Sequence, residues 1–315
     1  MNIAVSSCLL GNEVRFDGGH KRERFITDLL AKYATFTPFC PEALAFGTPR
    51  PSIRLVHQNE GVRIVSNKTG EDLTGALEAQ NQHELSRLKQ IPLTGIIFKA
   101  KSPTCGFGSA KVYLPNGHGE GKTDGLFVLT CKAAFPHLPM EEEARLLDPW
   151  LRENFIMHLF AYARFAEFCA QNPTMGGLVQ FHTVNKFLLQ SKNEALYRDL
   201  GNVVANHEKF PFPDVLDAYG VLYKEAIACK SSVSKTRNVL EHMVGFFKKT
   251  LEKGEKELLH LMLEDYTQKI IPLIAPISAI ALLAKRYNVD YLLEQTFLAP
   301  YPKELALRSH VDAGK

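Results

Sequence analysis

The sequence predicts an open, mainly parallel α/β domain followed by an all-α domain. Over residues 1–140, short apolar or β-branched runs alternate with a segment of helical spacing, an order that is typical of layered α/β proteins. From residue 141 onward, apolar residues recur about every 3.6 positions through one segment after another. The 315 residues are enough for two domains that each bury an ordinary apolar core.

In the first domain, strands are predicted where short runs are rich in β-branched and apolar side chains. These runs cover residues 3–6, 35–39, 95–99 and 126–131. A helix is predicted over residues 72–89, because Leu73, Leu77 and Leu88 fall on or near one helical face. The alternation of the two element types favours a sheet whose strands run mainly parallel.

In the second domain, residues 141–315, only short polar or Pro- and Gly-containing connections separate the predicted helices. The helices cover residues 144–170, 178–190, 194–205, 215–229, 235–251, 256–269 and 274–287. The domain boundary is predicted near Pro136 and Pro139, before the acidic run Glu141-Glu142-Glu143. Acidic side chains suit the first turn of a helix, so this run is interpreted as a helix N-terminus.

Composition excludes several classes of protein. Apolar residues make up 45 % of the chain and charged residues 23 %, which excludes a disordered protein. The formal net charge of +3 is too small for a nonspecific polyanion binder. Any contact with nucleic acid must therefore come from a local patch of basic side chains.

The sequence also predicts no membrane segment. The longest apolar stretch, residues 270–284, contains Pro272 and Pro276 and is shorter than the roughly 20 residues that a membrane span needs. The first residues lack the basic and apolar regions of a secretion signal. We therefore expect a cytoplasmic protein, in which cysteines are more often free thiols, metal ligands or catalysts than disulfides.

Three of the six cysteines follow predicted strands. Cys8, Cys40 and Cys105 come just after the strands at residues 3–6, 35–39 and 95–99. Since ligands bind outside the carboxyl ends of the strands in an open α/β sheet, these three thiols are expected to meet in one crevice. The remaining cysteines are interpreted as structural: Cys131, Cys169 and Cys229.

Three thiolates can hold either zinc or an iron–sulfur cluster. Zinc would take a fourth ligand from His20 or Glu42, whereas a cluster would keep one iron without a protein ligand. The spacing matches neither a C-x2-C motif nor the ferredoxin run, so it does not choose the metal. An open iron acts as a Lewis acid with a preference for sulfur, which suits a thiocarbonyl substrate.

The segments around these cysteines resemble a known family. The matching residues are VSSCLLG at 5–11 with VRFDG at 14–18, CPE at 40–42 with GTPR at 47–50, and KSPTCG at 101–106. Together and in this order they resemble the thiouracil desulfidase (TudS-like) family, whose Rossmann-like domain would cover about residues 1–140. Thr104 stands where the family has serine, a change that retains the hydroxyl group.

The second half resembles the YbgA-like helical domain. The matching residues are FHTVNKF at 181–187, NVLEHMVGFFK at 238–248 and QTFLAPYP at 295–302. Chains that combine these two domains are similar to desulfidases that remove sulfur from 4-thiouridine in tRNA. The resemblance therefore implies tRNA carrying 4-thiouridine as the partner, with the helical domain holding the RNA; no protein partner is predicted.

The resemblance also implies the cofactor and the acid–base residues. It implies a 4Fe-4S cluster held by Cys8, Cys40 and Cys105, with one iron left open for the substrate sulfur, and it implies that Glu42 and Ser102 carry the acid–base chemistry. The residue types agree, because Glu42 can activate water for attack on the thiocarbonyl carbon and Ser102 can relay a proton. The products would be uridine and hydrogen sulfide, without net electron transfer.

Two further groups of side chains are candidates for binding. Guanidinium groups match planar oxyanions, and an aspartate precedes a glycine pair in the same region. The candidates for substrate binding are Asp17, Arg15, Arg50 and Arg54. The candidates for an RNA-facing surface of the helical domain are His182, Lys186, Arg237, His242 and Lys248.

Two alternatives stay open at this point. The same cluster could act on free thiouracil or a thionucleoside, with the helical domain serving oligomerisation. The chain could also be a zinc-stabilised RNA-binding module without catalysis, in which the three cysteines have a structural role only.

Overall fold

A four-stranded parallel sheet forms the centre of the first unit. The computed structural model describes residues 1–58 and 61–310, and the chain divides between Leu147 and Asp148. The strands of this sheet are β1 (Asn2–Ser6), β2 (Thr35–Phe39), β5 (Gly95–Phe98) and β8 (Met140–Glu142), in the order β2-β1-β5-β8. All three pairings are parallel, which confirms the predicted fold class. Ile3, Ala4 and Val5 of the central strand are fully buried, as expected for a sheet covered on both faces.

A second sheet of mixed direction packs into the same unit. Its strands are β3 (Ile53–Gln58), β4 (Gly61–Ser66), β6 (Ala110–Tyr113) and β7 (Gly119–Thr123), in the order β4-β3-β6-β7. β3 pairs antiparallel with β4 and parallel with β6, and β6 pairs antiparallel with β7. Its apolar face, which includes Leu55, Ile64 and Val112, packs around Leu77. The sequence analysis did not predict this sheet.

Three helices belong to the first unit: α1 (Pro41–Phe46), α2 (Thr74–Lys89) and α3 (Leu126–Ala134). Helix α2 confirms the prediction over residues 72–89. Helix α3 shows that the strand predicted over residues 126–131 was wrong. Its buried residues Phe127, Val128 and Cys131 lie on one helical face, and a short apolar run does not distinguish a buried strand from a buried helix.

The acidic run was also interpreted wrongly as a helix N-terminus. Glu141 and Glu142 lie in β8, the edge strand of the parallel sheet, and Glu143 follows directly. The first long helix begins instead at Pro149, where the Asp148 carboxylate accepts hydrogen bonds from the backbone N–H groups of Trp150 and Leu151. The division after Leu147 therefore leaves the whole acidic run in the first unit.

All regular elements in the described residues of the second unit are helices, which short loops connect. Its helices are α4 (Pro149–Ala170), α5 (Met175–Lys192), α6 (Glu194–Ala205), α7 (Phe212–Ala228), α8 (Val233–Val244), α9 (Lys253–Thr267), α10 (Ile274–Arg286) and α11 (Asp290–Leu293). The first seven confirm the predicted helices, with ends that shift by a few residues. Aromatic side chains form part of the core, with Phe165 and Phe181 packed against Tyr219 and Tyr223. No helix in the described part of the chain has the length and apolar content needed to cross a bilayer.

Charged side chains are also buried inside the second unit. The Arg308 guanidinium and the Tyr301 hydroxyl both donate to Glu153 Oε1, over 2.8 and 3.1 Å. Lys192 is almost completely buried, and its Nζ donates to Asn154 Oδ1 over 2.9 Å. Burial lowers the pKa of Lys192 to about 7, although the Glu153 carboxylate acts in the opposite direction.

Candidate active site

A cavity of about 640 Å³ lies at the carboxyl ends of the parallel strands in the first unit. Side chains from both sheets line it. Three of its lining residues are the cysteines that follow β1, β2 and β5, namely Cys8, Cys40 and Cys105. Glu42 and Ser102 line the same cavity. The structure therefore brings together the residues for which a metal-binding and an acid–base role were predicted.

The strand order explains how three distant cysteines meet. Cys8 lies in a short 3-10 turn that begins directly after β1, and Cys40 lies between the end of β2 and the first residue of α1. Cys105 lies in the loop that follows β5. Because β2, β1 and β5 are adjacent and parallel, their carboxyl ends share one edge of the sheet.

The three thiols are shielded from water. Cys8 and Cys105 are only 8 % and 7 % exposed. Burial raises the pKa of Cys8 to about 12 and raises that of Cys40. Burial raises the pKa of Cys105 well above its usual range, while a hydrogen bond from Ser6 acts in the opposite direction. Ionised thiols in this cavity therefore require a cation close by, as metal ligation provides.

The donor set fits an iron–sulfur cluster. Over residues 1–58 and 61–310, no three His, Cys, Asp or Glu side chains are arranged around the position of a single metal ion. A cluster makes a different demand, because each of its cysteines binds a separate iron. Two buried thiols and the half-buried Cys40 around one cavity, with raised pKa values that iron binding would overcome, meet that demand.

Glu42 and Ser102 form a hydrogen-bonded pair. The Ser102 hydroxyl donates to Glu42 Oε1 over 2.9 Å. The same hydroxyl oxygen accepts backbone N–H groups from Thr104 and Cys105, over 3.1 and 3.0 Å. Both lone pairs of the Ser102 oxygen are thus engaged by N–H groups, and its hydrogen is directed toward the carboxylate.

Arg50 holds the other side of Glu42. Its Nη2 donates to Glu42 Oε2 over 2.9 Å, and its Nη1 donates to the carbonyl oxygens of Val14 and Gly47 over 2.8 and 3.1 Å. The Arg50 side chain is only 3 % exposed. This guanidinium is therefore fixed by the backbone, and it donates a charge-assisted hydrogen bond to the carboxylate beside it.

The other predicted substrate-binding residues lie around the same cavity or next to it. Arg15 and Arg54 line the cavity, and Arg54 Nη1 donates to Asn67 Oδ1 over 3.0 Å. Asp17 is exposed and is not among the lining residues that the structure describes. Its carboxylate accepts the Gly19 N–H over 3.1 Å and lies 3.4 Å from Arg15 Nε, so it forms a turn and contacts a lining residue.

Sequence analysis missed one cationic side chain in the cavity. Lys99 follows β5 directly and lines the cavity together with Cys8. Its Nζ donates to Glu143 and to the Ala100 carbonyl oxygen. One signal for it lies in its place along the chain. Lys99 is the first residue after β5, as Cys40 is after β2, and ligands bind at this edge of the sheet.

The cavity is strongly cationic. Among the described lining residues, seven are lysine or arginine, and Glu42 is the one carboxylate. Lys21, Lys101 and Lys111 are exposed at this cavity, and no ion-pair partner for them occurs within residues 1–58 and 61–310. Phe16 also lines the cavity and is 42 % exposed, with the Arg15 guanidinium 5.4 Å from its ring centre.

In the second unit, His182 and Arg237 are engaged within the protein. The His182 ring stacks on Tyr197 at 5.4 Å, and burial lowers its pKa to about 4, so it is neutral at pH 7. Arg237 pairs with Glu241 and Glu264 over 2.9 and 2.7 Å.

The other three residues predicted to face RNA are placed differently. Lys186 is half-buried, with its ammonium over the ring of Phe187. His242 and Lys248 are exposed. Neither of these two side chains has an ion-pair partner in the described part of the chain, so both are free to contact RNA as predicted.

The three remaining cysteines lie outside the cavity. Cys131 is fully buried in α3, while Cys169 lies in α4 and Cys229 follows α7, each partly exposed. None of them is among the described residues that line the cavity. Their positions agree with the structural interpretation made from the sequence.

Family models match both halves of the chain. The model described as 2-thiouracil desulfurase matches residues 3–143. The model described as a protein of unknown function, DUF1722, matches residues 186–302. The two matches lie in the first and the second structural unit, respectively.

Individual proteins match each half separately. The uncharacterized protein YbbK of Bacillus subtilis (strain 168) is 32 % identical over 126 residues, which cover 38 % of this chain and 80 % of YbbK. The uncharacterized protein YbgA of Escherichia coli (strain K12) is 24 % identical over 159 residues, which cover 50 % of this chain and 93 % of YbgA. Among solved structures, the [4Fe-4S]-dependent thiouracil desulfidase TudS is 27 % identical; the match covers 46 % of this chain and 92 % of that one, with a TM-score of 0.38.

Proposed function

Because the chain belongs to the 2-thiouracil desulfurase family, we propose that it hydrolyses the carbon–sulfur bond of a thiolated uracil base, with 4-thiouridine in tRNA as the substrate. One observation carries the chemistry. The Glu42–Ser102 pair lies in the same cavity as three cysteine thiols, so an acid–base pair and a ligand set for iron surround one space. That combination suits attack of water on a carbon whose sulfur is bound by a soft metal.

The cysteines, Glu42 and Ser102 have separate roles in the proposed reaction. When bound by Cys8, Cys40 and Cys105, a 4Fe-4S cluster would supply an open iron, a Lewis acid that polarises the carbon–sulfur bond. Glu42, held in place by its ion pair with Arg50, accepts a proton from the attacking water. The Ser102 hydroxyl, whose hydrogen points to Glu42, orients this carboxylate, and Glu42 then passes the proton to the departing sulfur.

The atoms and electrons of this reaction balance without a co-reactant. The water oxygen bonds to the ring carbon, and the carbon–sulfur bond breaks. Sulfur leaves with two protons as hydrogen sulfide, and the base keeps the water oxygen as a carbonyl. No electron is gained or lost by the protein, so the reaction is a hydrolysis.

The charge of the cavity supports a phosphate-bearing substrate. Lys21, Lys101 and Lys111 offer positive charge that a neutral pyrimidine base does not use. Phe16 offers an exposed ring on which an unstacked base can lie. These features favour a thiolated nucleotide in RNA over the free base.

Metal analysis tests the cofactor. Anaerobically purified protein is expected to contain about four irons and four acid-labile sulfides per chain. Cys105→Ala should lose both, whereas Cys131→Ala, a change of a buried thiol outside the cavity, should keep them. Stoichiometric zinc without sulfide would contradict the proposal and would favour the zinc-stabilised RNA-binding module.

A substrate comparison tests the choice of tRNA. Desulfuration of tRNA that contains 4-thiouridine should be faster than that of free thiouracil, and its kcat/KM should fall steeply as salt is added, because phosphate contacts are salt-dependent. Lys101→Gln with Lys111→Gln should weaken that salt dependence. The description of the family model favours free thiouracil as the second candidate, and equal, salt-independent turnover of the free base would select it.

A further inference from the structure

Lys99 and Glu143 form an ion pair that the proposed chemistry has not used. Lys99 lines the cavity, and its side chain is 18 % exposed. Glu143 is almost completely buried behind it. The Lys99 ammonium donates to one Glu143 oxygen, and the Ala100 backbone N–H donates to the other over 2.6 Å.

Strand pairing fixes this pair in place. β5 and β8 are parallel neighbours, with Phe98 opposite Glu142, so the next residue of each strand also falls side by side. The Lys99 backbone N–H donates to the Ser6 hydroxyl oxygen over 2.9 Å, which ties the end of β5 to the end of β1. The ammonium also donates to the Ala100 carbonyl oxygen over 3.1 Å. The charge therefore sits at a defined position rather than on a free side chain.

Lys99 lines the same cavity as the three cysteines. Lys99 and Arg15 are the positive charges that act on the Cys8 thiol, and Glu143 acts on it with opposite sign. Three thiols and the Glu42 carboxylate line the cavity. The negative charge of Glu42 acts on both Cys40 and Cys105. Negative charges collected in a shielded space repel one another unless fixed cations offset them.

We propose that Lys99 is the charge-compensating residue of this site, that Glu143 is the positioning residue that holds its ammonium, and that the pair sets the electrostatic environment of the cluster ligands. This inference rests on the proposed iron–sulfur desulfidase function. The Lys99 ammonium offsets the negative charge of the three thiolates and of the sulfide that leaves the substrate. Glu143 limits the effect of this positive charge, because the two side chains form an ion pair.

A measurement of the cluster potential tests the inference without turnover. Net charge near a cluster shifts its reduction potential, because a nearby cation favours the more negative reduced state. Loss of the cation in Lys99→Gln should therefore shift the midpoint potential to a more negative value. Loss of the anion in Glu143→Gln should shift it to a more positive value. Lys99→Arg should stay close to the wild type, and Lys122→Gln, an exposed lysine on β7 outside the cavity lining, should not change it.

Opposite shifts in the two variants identify a charge effect. Shifts of the same sign, or no shift in protein that retains its iron and sulfide, would overturn the inference. If Lys99→Gln and Lys99→Met fold but retain no iron, Glu143→Gln decides alone, and a negative or absent shift overturns the inference. If Glu143→Gln also folds without retaining iron, the pair is required for cluster assembly rather than for tuning its charge, and the inference is equally overturned.

The same experiment separates this inference from the proposed function. A wild-type chain that binds no cluster would overturn both at the first measurement. If the wild-type chain has a cluster and desulfidase activity, but the midpoint potential of the cluster is the same in the Lys99 and Glu143 variants, only the inference is overturned.

Discussion

At the scale of the residue, each of two motifs contributes one thiol and one acid–base group. Cys40 and Glu42 are two positions apart at the start of α1, and Ser102 and Cys105 are three positions apart after β5. Within the second motif, the Cys105 backbone N–H donates to the Ser102 hydroxyl oxygen. The 2.9 Å hydrogen bond between Ser102 and Glu42 then joins the two motifs. The same short segments thus position the groups proposed for cluster ligation and for acid–base chemistry.

Substitution of this pair should separate catalysis from cluster binding. Glu42→Gln keeps the shape and a partner for Ser102 but removes the base, so kcat is expected to fall by roughly 10²- to 10⁴-fold. Ser102→Ala should lower kcat as well, because the hydrogen bond that orients the Glu42 carboxylate is lost. Iron and sulfide content, measured beside turnover on thiolated tRNA, checks both variants. Normal turnover in Glu42→Gln would show that another group activates the water.

At the scale of the element, the loop that carries Cys105 depends on close backbone packing. A Cβ atom on Gly106 would lie 2.8 Å from the Ala110 nitrogen and 2.9 Å from the Ser102 carbonyl oxygen. Behind the loop, the Glu142 carboxylate accepts the Phe107 N–H over 3.0 Å and the Ser109 hydroxyl over 2.5 Å. The loop is therefore held by its own backbone and by the carboxylate at the end of β8.

Gly106→Ala should consequently disturb the cluster site. Because the two closest atoms belong to the backbone, the loop must move, at a cost of about 1–3 kcal/mol in the free energy of unfolding. Iron content should fall with it. Gly119→Ala on β7 is the matched control, since nothing lies within 4 Å of its Cβ position. Denaturant unfolding and iron analysis check the pair, and equal behaviour of the two variants would contradict this account of the loop.

The elements also show where sequence patterns are sufficient. β1, β2 and β5 follow from short apolar runs, and their cysteines follow from the rule that ligands bind at the carboxyl ends of parallel strands. Helix α3 and strand β8 were assigned wrongly, because a short apolar run and an acidic run each suit more than one element. In β8, the buried Glu142 accepts hydrogen bonds from Phe107 and Ser109, which are distant in the chain and which no local pattern contains.

The second sheet and part of the site escaped prediction for a related reason. β7 has the sequence GEGKT, with no apolar face, and it forms because β6 pairs with it. Lys99 was missed because its role depends on Glu143, a residue that only the pairing of β5 with β8 places next to it. The roles of Glu42 and Ser102 came from the family resemblance, and the hydrogen bond between them is a finding of the structure.

At the scale of the whole molecule, the proposed chemistry belongs to the first unit, while the second contains its own buried charges. Lys192 is buried in the second unit with a pKa of about 7, against 10.5 for a free lysine. Asn154 Oδ1 accepts a hydrogen bond from the Lys192 ammonium. It also accepts hydrogen bonds from the backbone N–H and the hydroxyl of Ser231. Removal of the ammonium therefore leaves Asn154 with partners.

This lysine should make stability depend on pH. Between pH 7 and about 10.5 the unfolded chain binds the Lys192 proton and the folded chain does not, so this group raises the free energy of unfolding as pH rises, by at most about 1.4 kcal/mol per pH unit. Lys192→Met should remove that contribution and stabilise the protein at pH 7. Lys253→Met, a change of an exposed lysine on α9, is the control. Denaturant unfolding across this range checks it, and equal slopes in the wild type and Lys192→Met would contradict the prediction.

The position of β8 has a consequence for biosynthesis. β8 is the last strand of the first unit to leave the ribosome, and it supplies both Glu142, which holds the Cys105 loop, and the register that places Glu143 beside Lys99. Pairing of parallel strands that are far apart in sequence is slow, and domains of a growing chain tend to fold as units from the N-terminus. A nascent chain that ends before residue 143 already carries all three cysteines yet lacks the strand that fixes one of them. We therefore expect the proposed iron loading to follow completion of the first unit, after translation has passed into the helical half.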